Sequence, residues 1–168
     1  MLGSETFHAG MRLFIQRHDL QAVTVEDFLA AMAEVSARDL GQFACWYSTV
    51  GRPRLRVRHC YDEANRRCEL TFDQRGRQDS DGPLLIPVEM GLLSKEGAVL
   101  QFRPGRPDAD PTDQAVLEIN QREQSIVLYD VDIEPVPSLL RGLSAPVTLE
   151  QDLSDEQYRQ LSVADVDS

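Results

Sequence analysis

The chain predicts an α+β protein: an N-terminal helical segment, then an antiparallel β-sandwich of the fibronectin or immunoglobulin type, then a short C-terminal helix. Three observations carry that expectation. Apolar residues recur at helical spacing through the first fifty residues or so. From Pro53 the period changes to two, and short strand-like runs follow, about seven in number, parted by turn residues. At Ser154 a capping pattern opens a helix again. The expected domains are 1–52, 53–150 and 151–168.

Ser4 is placed to cap a first helix with Glu5 in its first turn. Phe7, Met11 and Phe14 form its apolar stripe, and Asp19 with the polar step after it ends it. Thr24 caps a second helix, with Asp27 three residues on as an imperfect capping box. Phe28, Met32 and Val35 line the buried face, with Leu29 beside them. A third, short helix follows Asp39, with Leu40, Phe43, Trp46 and Tyr47 on its apolar side. Gly51 and Pro53 stop it.

In the first strand Leu55, Val57 and His59 point one way, and Arg52, Arg54, Arg56 and Arg58 the other. A turn at Glu63–Arg66 leads to a return strand with Cys68, Leu70 and Phe72 inward. Gln74 to Gly82 reads as a polar loop. Leu84–Leu93 is a third strand region, which Pro87 assigns to a sheet edge or a bulge. Lys95-Glu96-Gly97 turns into Ala98–Phe102, and Arg103–Asp113 reads as a loop. Leu117 and Ile119 alternate with Val116, Glu118 and Asn120. Ser125–Val131 is another strand, and Val147 and Leu149 close the set. Before them, Asp130–Leu149 carries Pro135, Pro137 and Pro146, which fix φ and remove donors. Val136, Leu139, Leu140, Leu143 and Val147 in that stretch call for burial, so it reads as a packed joint rather than a flexible linker. Ser154-Asp-Glu-Gln157 opens the last helix, with Tyr158 and Leu161 beginning its apolar face.

Net charge is −11, which argues against nucleic acid as a partner, since phosphate binding needs clustered Lys and Arg. No apolar run is long enough to span a bilayer, and no signal segment opens the chain, so no membrane partner and a cytoplasmic location are expected. Cys45, Cys60 and Cys68 form neither a metal-type spacing nor a disulfide framework. Cys60 and Cys68 are placed to face each other across a hairpin, where a cytosolic protein is not expected to bridge them.

The search for catalytic constellations finds no His-Glu-x-x-His, nucleophile elbow, P-loop or dinucleotide fingerprint. Glu5 and His8 stand one helical turn apart, too few ligands for zinc and more fitting for a surface hydrogen bond. His18 sits where an imidazolium favours a helix C-terminus, and His59 is expected to pack on a strand. Asp108, Asp110 and Asp113 resemble the start of a calcium loop without its glycine, and Ile119 stands where its last ligand belongs. The Arg52–Arg58 stripe is a candidate surface for an anion or an acidic domain, against the plainer reading of a solvated face. Trp46 and Tyr47 are a candidate platform, although their helical register favours packing. No catalytic, cofactor-binding or metal-ligating residue is assigned.

Several segments, in order, resemble the aminopeptidase N family, bacterial zinc-dependent gluzincin peptidases. They are Phe14–Asp19, Val25–Met32, Asp39–Phe43 with Trp46–Pro53, Glu123–Val127, Asp130–Leu149 and Ser154–Gln157. Family members often carry Gln where this chain has Thr49. The resemblance implies the end of a catalytic domain, a β-sandwich domain and the start of a large helical domain. It implies a parent hydrolase that removes N-terminal amino acids from peptides, with zinc held by two His and a Glu. None of those motifs maps onto a residue of this chain. The expectation is therefore an architectural, inactive fragment whose partners are the parent's catalytic and helical domains and which is prone to self-association. Peptide is then a substrate of the parent only. The alternative is a stand-alone β-sandwich module that binds through the arginine stripe.

Overall fold

The computed structural model describes residues 1–75 and 82–164. The chain forms two compact units, Met1–Val50 and Gly51–Ser168. The loop expected at Gln74–Gly82 lies, from residue 76 to 81, outside the described residues.

The first unit holds three helices: α1 (Ser4–His18), α2 (Val25–Ser36) and α3 (Gly41–Ser48). Ser4 does not cap α1. The N-cap is Gly3, whose φ of 78° turns the chain in, and the Ser4 hydroxyl instead lies 3.4 Å from His8 Nδ1. At α2 the capping box is complete: Asp27 N–H donates to Thr24 Oγ1 (3.3 Å), and Thr24 N–H donates to Asp27 Oδ2 (2.9 Å). That bond holds the Asp27 carboxyl below its ordinary pKa. α1 and α2 pack through Gly10, where a Cβ would overlap Met32 Sδ. Phe14 meets Phe28 edge-on at 5.5 Å, and Arg17 grips Glu34 with two bonds of 2.8 Å. The core is small: Leu29, Met32 and Leu40, with Met11, Phe28 and Phe43 partly buried against it. No residue of α3 is fully buried.

The second unit is a sandwich of nine strands among the described residues: β1 (Arg54–Asp62), β2 (Arg67–Arg75), β3 (Ile86–Leu93), β4 (Val99–Leu100), β5 (Arg103–Pro104), β6 (Gln114–Ile119), β7 (Glu123–Tyr129), β8 (Val136–Leu139) and β9 (Thr148–Gln151). One sheet runs β5-β7-β2-β1-β9; in the other, β3 pairs with β4 and β6 along one side and with β8 along the other. Every pair is antiparallel except β1 with β9. The chain reaches β9 by crossing over from the second sheet, so it enters the first sheet running parallel to β1. Alternation places Leu55, Val57, Leu70, Phe72 and Leu128 of the first sheet inward, with Ile86, Val88, Met90, Leu92 and Ile119 of the second, all at most 1% exposed. Each contributes roughly 1.5–3 kcal/mol by leaving water.

Four expectations are corrected. β3 is no edge: it is the centre of its sheet. Pro87 is tolerated because the β8 ladder begins only at Met90, so that side of β3 has no strand to receive an N–H there. The presumed loop at Arg103–Asp113 contains β5 and the bridge of Phe102 with Thr112. The proline joint contains β8, in which Pro137 sits opposite Leu92 on an edge strand that can spare its donor. Leu143 of the same joint is 92% exposed rather than packed.

Polar side chains tie the two sheets. Gln74 is buried: its Nε2 donates to the Leu84 and Ile119 carbonyls (2.9 and 3.2 Å), and its Oε1 accepts from Leu84 N–H (2.9 Å). Gln151 of β9 donates to the Pro137 carbonyl of β8 at 2.8 Å. After β9, Ser154 and Gln157 form the expected reciprocal cap of α4 (Asp155–Ala164). Tyr158 does not begin a buried face; it is about half exposed and donates to the Gln151 carbonyl.

Candidate functional site

The arginine stripe exists as a row on the outer face of the first sheet, and the fold answers it with acids. The parallel register sets Thr148 beside Arg54 and Glu150 beside Arg56, and the acids are reached diagonally: Arg54 meets Glu150 (3.4 Å) and Arg56 meets Asp152 (3.2 Å); Glu123 of β7 reaches Arg58 (3.3 Å). Three of the four arginines thus face carboxylates of their own unit. All these pairs are exposed and contribute little, roughly 0–1 kcal/mol each. Arg52 lies before the strand and is exposed.

The other candidates stay apart. His8 is occupied by Ser4 and by the Phe7 ring, 6.2 Å away, and His18 lies 5.4 Å from the Phe14 ring. His59 is half-buried, and burial pushes its imidazole pKa down while the charge of Glu134 works the other way. Cys60 pairs in register with Glu69 and Cys68 with Tyr61, so the two cysteines lie one step out of register. Cys60 is exposed and Cys68 is buried; both are free thiols. Burial pushes the Cys68 thiol up to about 12, with the nearby Cys60 adding a smaller effect, so it is inert as a nucleophile. In the aspartate loop, Arg103 donates to the Ala109 carbonyl and to Asp130 Oδ2 (2.6 Å), placing a guanidinium where a calcium ion would need oxygen ligands. Among the described residues no three His, Cys, Asp or Glu side chains are grouped to hold a metal.

Two hollows remain. In the helical unit Met1, Leu2, Phe7, Leu29, Phe43 and Tyr47 help line an open apolar hollow of about 500 Å³. Tyr47, expected to pack, is 57% exposed at this hollow. In the sandwich unit, Lys95, Glu134, Ser154, Glu156 and Gln157 line a polar hollow of about 310 Å³. Lys95 Nζ bonds Glu134 Oε2 there at 2.5 Å, holding the Glu134 carboxyl below its usual range. The lining of the apolar hollow carries no carboxylate, imidazole or amine side chain, and in the polar hollow Lys95 is taken up by Glu134 while the Ser154 hydroxyl accepts from the Gln157 N–H. Sequence reasoning missed the Gln74 clamp, although a signal was present: Gln74 continues the inward series Cys68, Leu70, Phe72.

Residues 51–152 match the family model described as a domain of unknown function (DUF3458) with an Ig-like fold. The chain belongs to the DUF3458 Ig-like family. Its relatives include aminopeptidase N of Escherichia coli, 39% identical over 94% of this chain, and aminopeptidase N of Caulobacter vibrioides, 36% identical over 99%. Among solved structures, Legionella pneumophila aminopeptidase A in complex with aspartic acid superposes with a TM-score of 0.83 at 28% identity, covering 99% of this chain. In each case this chain spans only 18% of the other protein's length. The aminopeptidase N resemblance therefore extends over almost the whole chain, beyond the DUF3458 region. The α+β architecture with its Ig-like sandwich agrees with the sequence expectation.

Proposed function

We propose that this chain is the architectural middle of a longer zinc aminopeptidase that removes N-terminal amino acids from peptides in the cytoplasm. Residues 1–52 close the catalytic domain, 53–150 form the spacer sandwich, and 151–168 begin a helical domain. One observation carries the reading: relatives named aminopeptidase N match 94–99% of this chain, while the chain spans 18% of them. The open apolar hollow of the helical unit supports it, since such a surface asks for cover by further protein. Among the described residues the histidines and carboxylates do not fit a zinc site, being dispersed over separate elements, which supports a metal held by the rest of the longer protein. Alone, the chain neither holds catalytic zinc nor hydrolyses peptides, and its bare helical face drives self-association at high concentration.

The test pairs two proteins, this chain and the product of the natural gene, each with zinc and an alanyl chromogenic substrate. Turnover is expected from the longer protein alone, and robust turnover by this chain refutes the reading. A stand-alone module binding through the arginine stripe is the weaker alternative, because Arg54, Arg56 and Arg58 already face carboxylates. Tight binding of an acidic protein that is lost in Arg56→Ala would revive it.

A further inference from the structure

We propose that the tip of the loop after β8, Leu140–Leu143, is a docking knob that seats in an apolar socket on the remainder of the longer protein. The inference rests on the proposed function, and deepens it by naming the surface through which the sandwich holds its neighbour. Leu140, Gly142 and Leu143 have φ of 59°, 57° and 52°. Glycine adopts that left-handed region readily; leucine disfavours it because its Cβ crowds the carbonyl. Two leucines within four residues are thus held in a conformation that their own side chains oppose. Leu143 gains nothing for it inside this chain, being 92% exposed.

The loop is nevertheless firmly built. Glu89 N–H donates to Ser144 Oγ (3.0 Å), fixing one end to β3. Arg141 Nε donates to Ser138 Oγ (2.9 Å), and its guanidinium lies over Gly91, where a Cβ would overlap it. Leu143 N–H and Ser144 N–H bond back to the Leu140 and Arg141 carbonyls, each at 3.1 Å. Ala145 and Val147 are buried just beyond. Because Arg141 folds down onto the sheet, the side chain that projects at the tip is Leu143, while the Glu89 carboxylate lies beside Gly142 at its base. Strain fixed by surrounding structure and spent on a bare apolar tip marks a recognition element. The occupant is argued from length: relatives and the solved neighbour align through this segment and carry more than four-fifths of their chain outside it. An apolar socket on that remainder is what an uncharged leucine tip fits.

Amide hydrogen exchange at residues 142–144, compared between this chain and the longer natural protein, tests the inference. Protection should rise at least about tenfold in the longer protein, since burial closes the tip to water. Leu143→Gly should raise the melting temperature of this chain by about 2 °C through relief of the left-handed strain, yet abolish the extra protection in the longer protein. Leu143→Met, which keeps an apolar tip, should retain it. Equal exchange in the two proteins overturns the docking, as does protection that grows with the concentration of this chain alone, which would assign the knob to a second copy. Alanyl-substrate turnover by the longer protein reads the proposed function separately: an active longer protein with an unprotected tip sinks the knob and leaves that function standing.

Discussion

The two units reach stability by different routes. Among the described residues, the sandwich encloses twenty buried apolar side chains, while the helical unit encloses four: Leu29, Ala31, Met32 and Leu40. The sandwich has opposing sheets to close its own core, with Gln74 and Gln151 bonding across them. The three helices of the first unit gather around a small core and leave Phe7, Ile15 and Tyr47 each more than 40% exposed. The lesson is that local order and self-sufficiency are separate. α2 has a complete capping box and good packing against α1, yet its unit lacks the buried area that an independent fold needs.

Cutting the chain at residue 50 should break the comparison most sharply. The C-terminal piece is expected to melt cooperatively by circular dichroism; the N-terminal piece is expected to show no cooperative transition. Within the intact chain, Phe72→Ala, which empties a site of 0% exposure, should lower sandwich stability by about 4 kcal/mol in urea unfolding. Phe43→Ala, at the rim of the open hollow, should lower the stability of the helical unit by less than about 1.5 kcal/mol. Gln74→Leu keeps the volume but strands the Leu84 N–H and two carbonyls, so a loss of about 3 kcal/mol is expected.

Smaller effects sharpen the local side of the contrast. Thr24→Ala should lower stability of the helical unit by about 1 kcal/mol, while Asp27→Asn, which takes away the carboxyl that accepts from the Thr24 N–H, should remove an acid-dependent component. The folded Asp27 carboxyl lies below its unfolded value, so its contribution is present above the unfolded pKa near 4 and is lost as pH falls through the folded value. Helicity followed by circular dichroism from pH 6 to pH 2 should show that component in the parent chain and not in Asp27→Asn. Arg54→Ala should change stability by at most about 0.5 kcal/mol, because its exposed partner Glu150 is well solvated without it. A loss above 1.5 kcal/mol there would mean that the stripe is structural after all.

The alternation of Leu55 and Val57, and of Cys68, Leu70 and Phe72, was legible because a strand's period maps directly onto its two faces. The caps at Thr24 and Ser154 were legible because both bonding partners lie three residues apart. Ser4 misled for the opposite reason: Gly3 at positive φ begins the helix one residue earlier, and a single glycine does not announce which sign of φ it will take. Pro87 and Pro137 misled because a proline forbids one hydrogen bond, not a strand. Which side of the strand lacks a partner depends on neighbours distant in sequence. The candidate site followed the same division. The arginine row was visible in the chain, while the acids that answer it come from β7, β9 and the residue just past β9, 65 to 96 positions away.

By itself the sequence determined the change from helical to strand periodicity, the order of the elements, the inward residues of β1 and β2, and the resemblance to aminopeptidase N. These are local patterns, or a series of them, and the chain carries both partners of each. Only tertiary structure decided that β9 runs parallel to β1, that β3 is central, that the arginines are answered, and that Leu143 stands in water on a strained loop. Each of these depends on which distant backbone closes which sheet edge, and pairing of that kind leaves no periodic mark on either segment alone.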